Sequence, residues 1–208
     1  MTTQGATERL PAGDRDPVVV VVQHVQDGMP TALVGMLLFI ASEVMFFGGL
    51  FATYFNARAS ATGHWGPPDG GHLDLPLAAV LTAILVASSF TMQFGVWAIR
   101  RGDQGKLRLW TGITLGLGIL FLAGQLYDYS QLGFSIADDT FGTVFYTLTG
   151  FHGAHVFGGV VGLTIVLARA MRGQFSGRNH VAVEAVSMYW HFVDVVWIFV
   201  FSTIYLLR

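Results

Sequence analysis

Five long apolar segments make up most of the chain, and short polar connections separate them. The segments cover approximately residues 31–55, 75–99, 107–129, 141–168 and 182–207. About 20 apolar residues, rising about 1.5 Å each in a helix, cross a hydrocarbon core of about 30 Å. Every segment reaches that length. The pattern therefore predicts an all-α membrane protein, a bundle of five transmembrane helices.

The first 30 residues form a polar N-terminal tail, and residues 31–208 form the predicted five-helix transmembrane domain. The tail lacks a basic start, an apolar run and a small-residue cleavage site in that order, so we expect no signal peptide. Its five consecutive valines, Val18–Val22, are too few to span a membrane. We expect them to form a short strand or an interfacial segment.

Basic residues are distributed unevenly between the two ends of the predicted bundle. Nine of the eleven Lys and Arg residues lie in the tail, in the second connection or in the fourth, and only Arg58 and Arg208 lie at the other end. Connections rich in Lys and Arg remain on the cytoplasmic side. The charge pattern therefore predicts a cytoplasmic N-terminus and a C-terminus that faces out.

Composition narrows the classes of function. Hydrophobic residues make up 53% of the chain and charged residues only 12%, which indicates an integral membrane protein. The net charge is −2 and no cluster of basic residues lies within one face, so we expect no nucleic acid partner. Cysteine is absent, which excludes disulfides, thiolate metal sites and thiol nucleophiles in this chain.

Glu43 is the polar residue that lies deepest in the first predicted span, twelve residues from each end. A charged carboxylate at the centre of a membrane helix costs about 2.5 to 3.5 kcal/mol even on lenient scales. We therefore expect Glu43 to be protonated, or hydrogen-bonded to Ser42 or to a residue on another helix. An intramembrane carboxylate favours a role in proton or lipid chemistry, and the alternative is a neutral side chain that fixes the helix register.

Two pairs of polar residues repeat a spacing of three in the last two spans. They are His152 with His155, and His191 with Asp194. A spacing of three places both members on one helical face, where they can bond each other or a shared neighbour. A histidine-rich metal site is one interpretation, but no span carries the Glu-x-x-His pair of a di-iron bundle. Hydrogen bonds between helices explain these residues more simply, so we predict no metal site.

Small residues and span-end polar residues complete the pattern. Gly150, Ala154, Gly158 and Gly162 recur every four residues, which predicts a close contact between helices. Gln125, Asp128 and Glu184 lie near span ends, where we expect ordinary solvation. No serine protease triad, phosphate loop or haem-attachment motif is recognisable, so we expect no catalytic centre in this chain. An independent proton or ion carrier that uses Glu43 is an alternative, although the inverted repeat typical of transporters is absent.

Four stretches together resemble one known family. They are SEVMFFGGLFATYF (42–55), RRGD (100–103), FYTLTGFHGAHVFGG (145–159) and YWHFVDVVWIFVF (189–201). They resemble subunit III of the cytochrome c oxidase branch of the haem-copper oxidases, in a five-helix form. Longer members carry two further helices before the one that contains Glu43, and here the polar tail takes their place.

The resemblance implies an accessory subunit of a proton-pumping oxidase that reduces O₂ to water. It would pack on subunit I, bind phospholipid in a cleft and support proton uptake, while haem A and copper lie in subunits I and II. Glu43 matches the family's carbodiimide-reactive carboxylate; Ser42, His152, His155, His191 and Asp194 match positions with structural hydrogen-bonding roles. Cytochrome c would donate electrons to the complex, which would lie in a bacterial plasma membrane. The complex could also belong to a larger respiratory supercomplex. A ubiquinol oxidase or a nitric-oxide reductase system is the close alternative.

Overall fold

The computed structural model describes residues 29–63, 65–68 and 71–207. Its helices are α1 (Thr31–Ser60), α2 (Leu75–Arg100), α3 (Gln104–Gln131), α4 (Thr140–Met171) and α5 (Val181–Phe201), and α5 continues as a π-helical turn, Ser202–Leu206. All five are long and apolar enough to cross a membrane, and the described residues contain no strand. The predicted all-α, five-helix class is confirmed. The direction of insertion stays a prediction, and the valine run lies outside the described residues.

Aspartates in the connections start three of the helices. The side chains of Asp74, Asp103 and Asp139 each accept a hydrogen bond from the backbone amide three residues later, at 2.9, 2.9 and 2.6 Å. Each bond satisfies one of the amides that a helix N-terminus leaves unpaired. The backbone amide of Lys106 and its ammonium group lower the pKa of the Asp103 carboxyl.

The turn RRGD joins α2 to α3 by a sharp reversal. Gly102 adopts a φ of 79°, in the left-handed region that suits glycine, and its amide bonds the carbonyl of Ile99 at 2.8 Å. Asp103 then caps α3 directly. This turn and the α4–α5 connection lie at the same end of the bundle, because the Gln104 side chain donates to the carbonyl of Phe175 at 2.8 Å. We call this end, with its many Lys and Arg residues, the basic end.

Four helices form a closed ring, and the first packs on its outside. Helix α2 contacts α3, α3 contacts α4, α4 contacts α5, and α5 returns to α2, whereas α1 packs on α4 and α5. Trp190 of α5 is completely buried in the middle of the ring. Helix α1 has the least buried span of the five and α5 has the most buried. Polar residues that join α1 to the ring therefore affect how firmly it is attached.

Glycines allow the closest helix approach at Trp190. A Cβ atom built on Gly118 of α3 or on Gly159 of α4 would lie 2.6 Å from the Trp190 ring. The predicted stripe of small residues on α4, from Gly150 to Gly162, contacts another helix along only part of its length. Gly158 and Gly162 face α5, with nearest atoms at 3.3 and 3.5 Å from an added Cβ.

The other end of that stripe requires a correction. An added Cβ on Gly150 would have no atom within 4 Å, and Ala154 is exposed. The close contact is therefore centred one residue away from the predicted row, at Gly159, because the bulky Trp190 ring needs the space there.

Two polar residues near the C-terminal end of α3 are buried rather than solvated. Gln125 and Asp128 are each only 5% exposed. The Asp128 carboxylate accepts a hydrogen bond from the hydroxyl of Tyr205 at 3.4 Å, and the Gln125 amide donates to the carbonyl of Thr149 at 3.4 Å. The expectation of ordinary solvation is wrong for both. The π-helical turn after α5 reaches Asp128 through Tyr205, and α4 contacts Gln125 through Thr149. Glu184, by contrast, lies at the basic end.

A pair of glycine substitutions tests the packing at Trp190. We expect Gly159→Ala to lower the free energy of unfolding by about 1 to 3 kcal/mol, the usual cost of overpacking a filled core. The matched substitution Gly150→Ala adds its methyl group to open space, and we expect it to be neutral or to stabilise by up to about 1 kcal/mol. Thermal denaturation in mild detergent, followed by circular dichroism, measures both. Equal effects of the two substitutions would contradict the contact.

Candidate functional site

The intramembrane carboxylate of α1 is paired with a histidine of α4. Oε2 of Glu43 lies 2.9 Å from Nε2 of His155, and the two side chains are 19% and 15% exposed. Of the partners considered from the sequence, a residue on another helix is the one present. Ser42 instead donates its hydroxyl to the carbonyl of Phe39 on its own helix, at 2.6 Å.

The second ring nitrogen of His155 fixes where its proton lies. Nδ1 lies 2.6 Å from the carbonyl oxygen of Phe151, which can only accept a hydrogen bond, so Nδ1 carries a hydrogen. Nε2 then either accepts a proton from Glu43 or donates one to it. A contact of 2.9 Å needs one proton between the two atoms, because an ionised carboxylate and a bare nitrogen would repel each other. In both arrangements the pair has no net charge, which lowers its cost within a membrane.

Aromatic rings surround this pair. The ring of Phe47 lies edge-on to His155 with a centroid distance of 4.9 Å, and the ring of Phe46 lies at 6.1 Å. The hydroxyl of Tyr189 on α5 donates to the backbone carbonyl of His155 at 3.1 Å. Helices α1, α4 and α5 thus meet at one proton-holding contact with apolar walls.

A second polar cluster joins α2 to α5. His191 and Asp194 do not bond each other directly but share a neighbour, Ser89, whose hydroxyl lies 2.8 Å from Nδ1 of His191 and bonds the Asp194 carboxylate. Nε2 of His191 lies 3.4 Å from the amide oxygen of Gln93. The sequence analysis did not identify Ser89 or Gln93. The sequence pattern that could have identified them is their spacing of four on α2, which places both on one helical face toward His191 and Asp194 of α5.

His152 occupies a different environment from the other three polar residues. It is completely buried, and neither ring nitrogen has a hydrogen-bond partner among the described residues. Its ring instead packs on Trp197 with a centroid distance of 4.8 Å and meets the edge of Phe121 at 5.9 Å. His152 therefore fills the core of the ring of helices rather than joining helices by hydrogen bonds.

The structure does not bring the two histidine pairs together. The hydrogen bond of His155 joins α1 to α4, whereas the hydrogen bond of His191 joins α2 to α5. Within the described ranges, no group of three or more His, Cys, Asp or Glu side chains is close enough to hold a metal ion.

Comparison with known proteins identifies the family. The family model described as Cytochrome c oxidase subunit III matches residues 20–208. This chain belongs to that family. The resemblance that the four motifs predicted is confirmed, and the chain is an integral membrane protein.

Several curated relatives cover most of their own length and of this chain. A probable cytochrome c oxidase subunit 3 from Nocardia farcinica is 51% identical over 84% of this chain and 87% of its own. The probable subunit 3 from Mycobacterium tuberculosis is 48% identical with the same coverage. The subunit 3 from Thermostichus vulcanus is 39% identical over 90% of this chain and 93% of its own.

Substitution of Glu43 tests the pairing with His155. We expect Glu43→Leu to lower the stability by about 0.6 to 1.7 kcal/mol, the range of hydrogen bonds between membrane helices, because Nε2 of His155 loses its partner. Glu43→Gln keeps a donor and should lose less. Ser42→Ala is the matched control on the same helix, since Ser42 bonds only its own backbone. Thermal unfolding in detergent provides the measurement, and equal stability of the Leu and Ser42→Ala variants would contradict the pairing.

Proposed function

We propose that this chain is the accessory, non-redox subunit III of a proton-pumping cytochrome c oxidase. It binds to the catalytic subunit I, near subunit II, and stabilises the enzyme that reduces O₂ to water with electrons from cytochrome c. The family match over residues 20–208 is the observation that carries the proposal. Haem A and copper belong to the partner subunits. The names of the relatives favour cytochrome c over quinol or nitric-oxide chemistry, and their bacterial sources favour the plasma membrane.

Glu43 and His155 are the residues through which this subunit supports proton uptake. Their contact holds one proton without net charge, and the proton can lie on either atom. A histidine and a carboxylate within 2.9 Å are a common arrangement for holding and passing a proton. The partial exposure of both side chains leaves the pair accessible from the side of the bundle.

Phospholipid binding is supported by a groove between α1 and α5. The groove has a volume of about 270 Å³ and is almost entirely apolar. Its walls include Val44, Gly48 and Phe51 of α1 and Val195 and Phe199 of α5. Such a surface suits an acyl chain.

Helix α1 exposes a large apolar surface. Leu38 and Met45 are 69% and 79% exposed. We propose that lipid or another subunit of the oxidase covers this face. In a larger respiratory assembly, an adjoining complex would cover it.

Purification of the native complex tests the assignment. An affinity tag on this chain, used in mild detergent on membranes of the source organism, should co-purify an oxidase whose reduced-minus-oxidised spectrum shows haem A and whose metal content includes the dinuclear copper of subunit II. Co-purification of an oxidase without that copper would favour the quinol alternative. Recovery of this chain alone would contradict the proposal.

Carbodiimide labelling tests the role of Glu43. We expect a hydrophobic carbodiimide to modify the wild-type chain and not Glu43→Gln, while the variant complex assembles but loses activity faster during prolonged turnover. Glu184→Gln is the control carboxylate at the basic end, and it should keep the labelling. Oxygen consumption followed over many turnovers gives the activity. Unchanged inactivation in Glu43→Gln would limit Glu43 to a packing role.

A further inference from the structure

Two rows of polar residues face each other across the α2–α5 contact. On α5 the row follows a spacing of three, four and three, and on α2 a spacing of four and seven, so each row occupies one helical face. Polar residues within membrane helices are costly and mark functional positions. We call these residues the α2–α5 seam; they are Ser89, Gln93 and Arg100 of α2 and Glu184, Ser187, His191 and Asp194 of α5.

The seam starts at the basic end with an ion pair. Arg100 bonds Glu184 at 2.8 Å, and Nε2 of His180 lies 3.3 Å from the same carboxylate. Arg100 is exposed and is the last residue of α2, and a charged guanidinium at the end of a span extends to the aqueous phase. Ser89 lies eleven residues further along α2, which is about 16 Å at about 1.5 Å per residue. The seam therefore extends from the aqueous phase about halfway across the hydrocarbon core.

An open groove follows the first part of the seam. Its volume is about 220 Å³, and Gln93, Arg100, Glu184, Ser187 and His191 contribute its polar lining. A water molecule needs two to four polar partners, which these side chains offer, and the groove is large enough for several water molecules. Leu33 of α1 borders the groove together with the apolar side chains of Val96 and Met188. No further helix can insert between α2 and α5, because the Arg100–Glu184 and Ser89–His191 contacts already join them. Water suits this groove better than lipid or protein.

The inner end of the seam is a buried carboxyl group with a free atom. Asp194 is 4% exposed, and its Oδ1 has no hydrogen-bond partner among the described residues. Its Oδ2 bonds the hydroxyl of Ser89, which also contacts Nδ1 of His191. One hydroxyl hydrogen serves only one of these contacts, so the other partner must donate.

This chain of hydrogen bonds has two directions, and a proton transfer converts one into the other. In the first, the protonated Asp194 donates to Ser89, Ser89 donates to Nδ1 of His191, and Nε2–H points to the groove. Transfer moves the Asp194 proton to Ser89, the Ser89 hydrogen to Nδ1, and the Nε2 hydrogen to water. Asp194 is then ionised, His191 stays neutral with its hydrogen on Nδ1, and the reverse sequence reloads the carboxyl.

We infer that the α2–α5 seam is a water-filled proton half-pathway that connects the aqueous phase at the basic end to Asp194. Water conducts protons from the Arg100–Glu184 pair to His191, and Ser89 relays them to the buried carboxyl. The seam shares no residue with the Glu43–His155 contact. The inference does not depend on the proposed function, since it rests on the residues of this chain alone.

Cysteine accessibility tests whether water enters the seam. The chain contains no cysteine, so Gln93→Cys introduces a single thiol into the groove. The matched control is Ile165→Cys, which lies at nearly the same distance from the basic end on α4 but is 54% exposed at the lipid-facing surface. A charged methanethiosulfonate that does not cross membranes is added to the native complex, either in spheroplasts or in inverted membrane vesicles. The mass of this chain then measures the labelling.

We expect Gln93→Cys to react faster than Ile165→Cys by on the order of tenfold or more, a barrier difference of about 1.4 kcal/mol. The reaction should occur from the side of the basic end only, and Arg172→Cys at that end reports full aqueous reactivity. Labelling of Gln93→Cys at the slow rate of Ile165→Cys would overturn the inference, whether lipid or a partner subunit covers the groove.

Hydrogen–deuterium exchange tests the connection to Asp194. The infrared spectrum of the wild-type complex minus that of Asp194→Asn isolates the carboxyl band of Asp194. We expect this band to shift when D₂O replaces H₂O, and to shift more slowly in Gln93→Leu, while Glu43→Gln leaves it unchanged. A band that does not exchange, or no protonated-carboxyl band from Asp194 at any pH, would overturn the half-pathway.

Discussion

A polar group inside a membrane helix has no water to bond, so it must find a partner on another helix or line a hydrated groove. The carboxyl groups of Glu43 and Asp194 meet that constraint in two ways, whereas the unbonded ring of His152 packs on Trp197. Glu43 is paired with His155 across α1 and α4, and the pair carries no net charge. Asp194 bonds Ser89 between α5 and α2, next to His191, which lines an open groove with polar side chains of both helices. The first contact attaches a peripheral helix, and the second connects a buried carboxyl to one end of the bundle.

The attachment of α1 depends strongly on its single carboxylate. This helix packs mainly on α4 and α5 and leaves most of its surface exposed. Toward the C-terminal end of α1, Tyr54 donates to the carbonyl of Thr203 at 3.3 Å, and near the middle Glu43–His155 is the polar contact that fixes its rotation in the described structure. Apolar contacts alone specify the rotation of a membrane helix poorly, because lipid tails are as apolar as leucine.

The sequence predicts the helices well and their contacts less well. Span length is sufficient to place five helices, because a membrane requires about 20 apolar residues for each crossing. The partner of Glu43 is 112 positions away and becomes evident only when α1 packs on α4. The closest helix contact lies at Gly159 rather than in the predicted glycine row, because the Trp190 ring needs space there. The position of that ring depends on the packing of three helices. The burial of Asp128 was missed because it depends on the π-helical turn at the end of α5, which no spacing rule predicts.

The central claim is that Glu43 and His155 hold α1 to the ring by a shared proton. A double-mutant cycle measures their coupling directly, with Glu43→Leu, His155→Leu and the double variant compared by unfolding in detergent. The account predicts that the two single losses are not additive and that the coupling lies near 0.6 to 1.7 kcal/mol, roughly the range for such bonds in membranes. Additive losses, with a coupling close to zero, would contradict it.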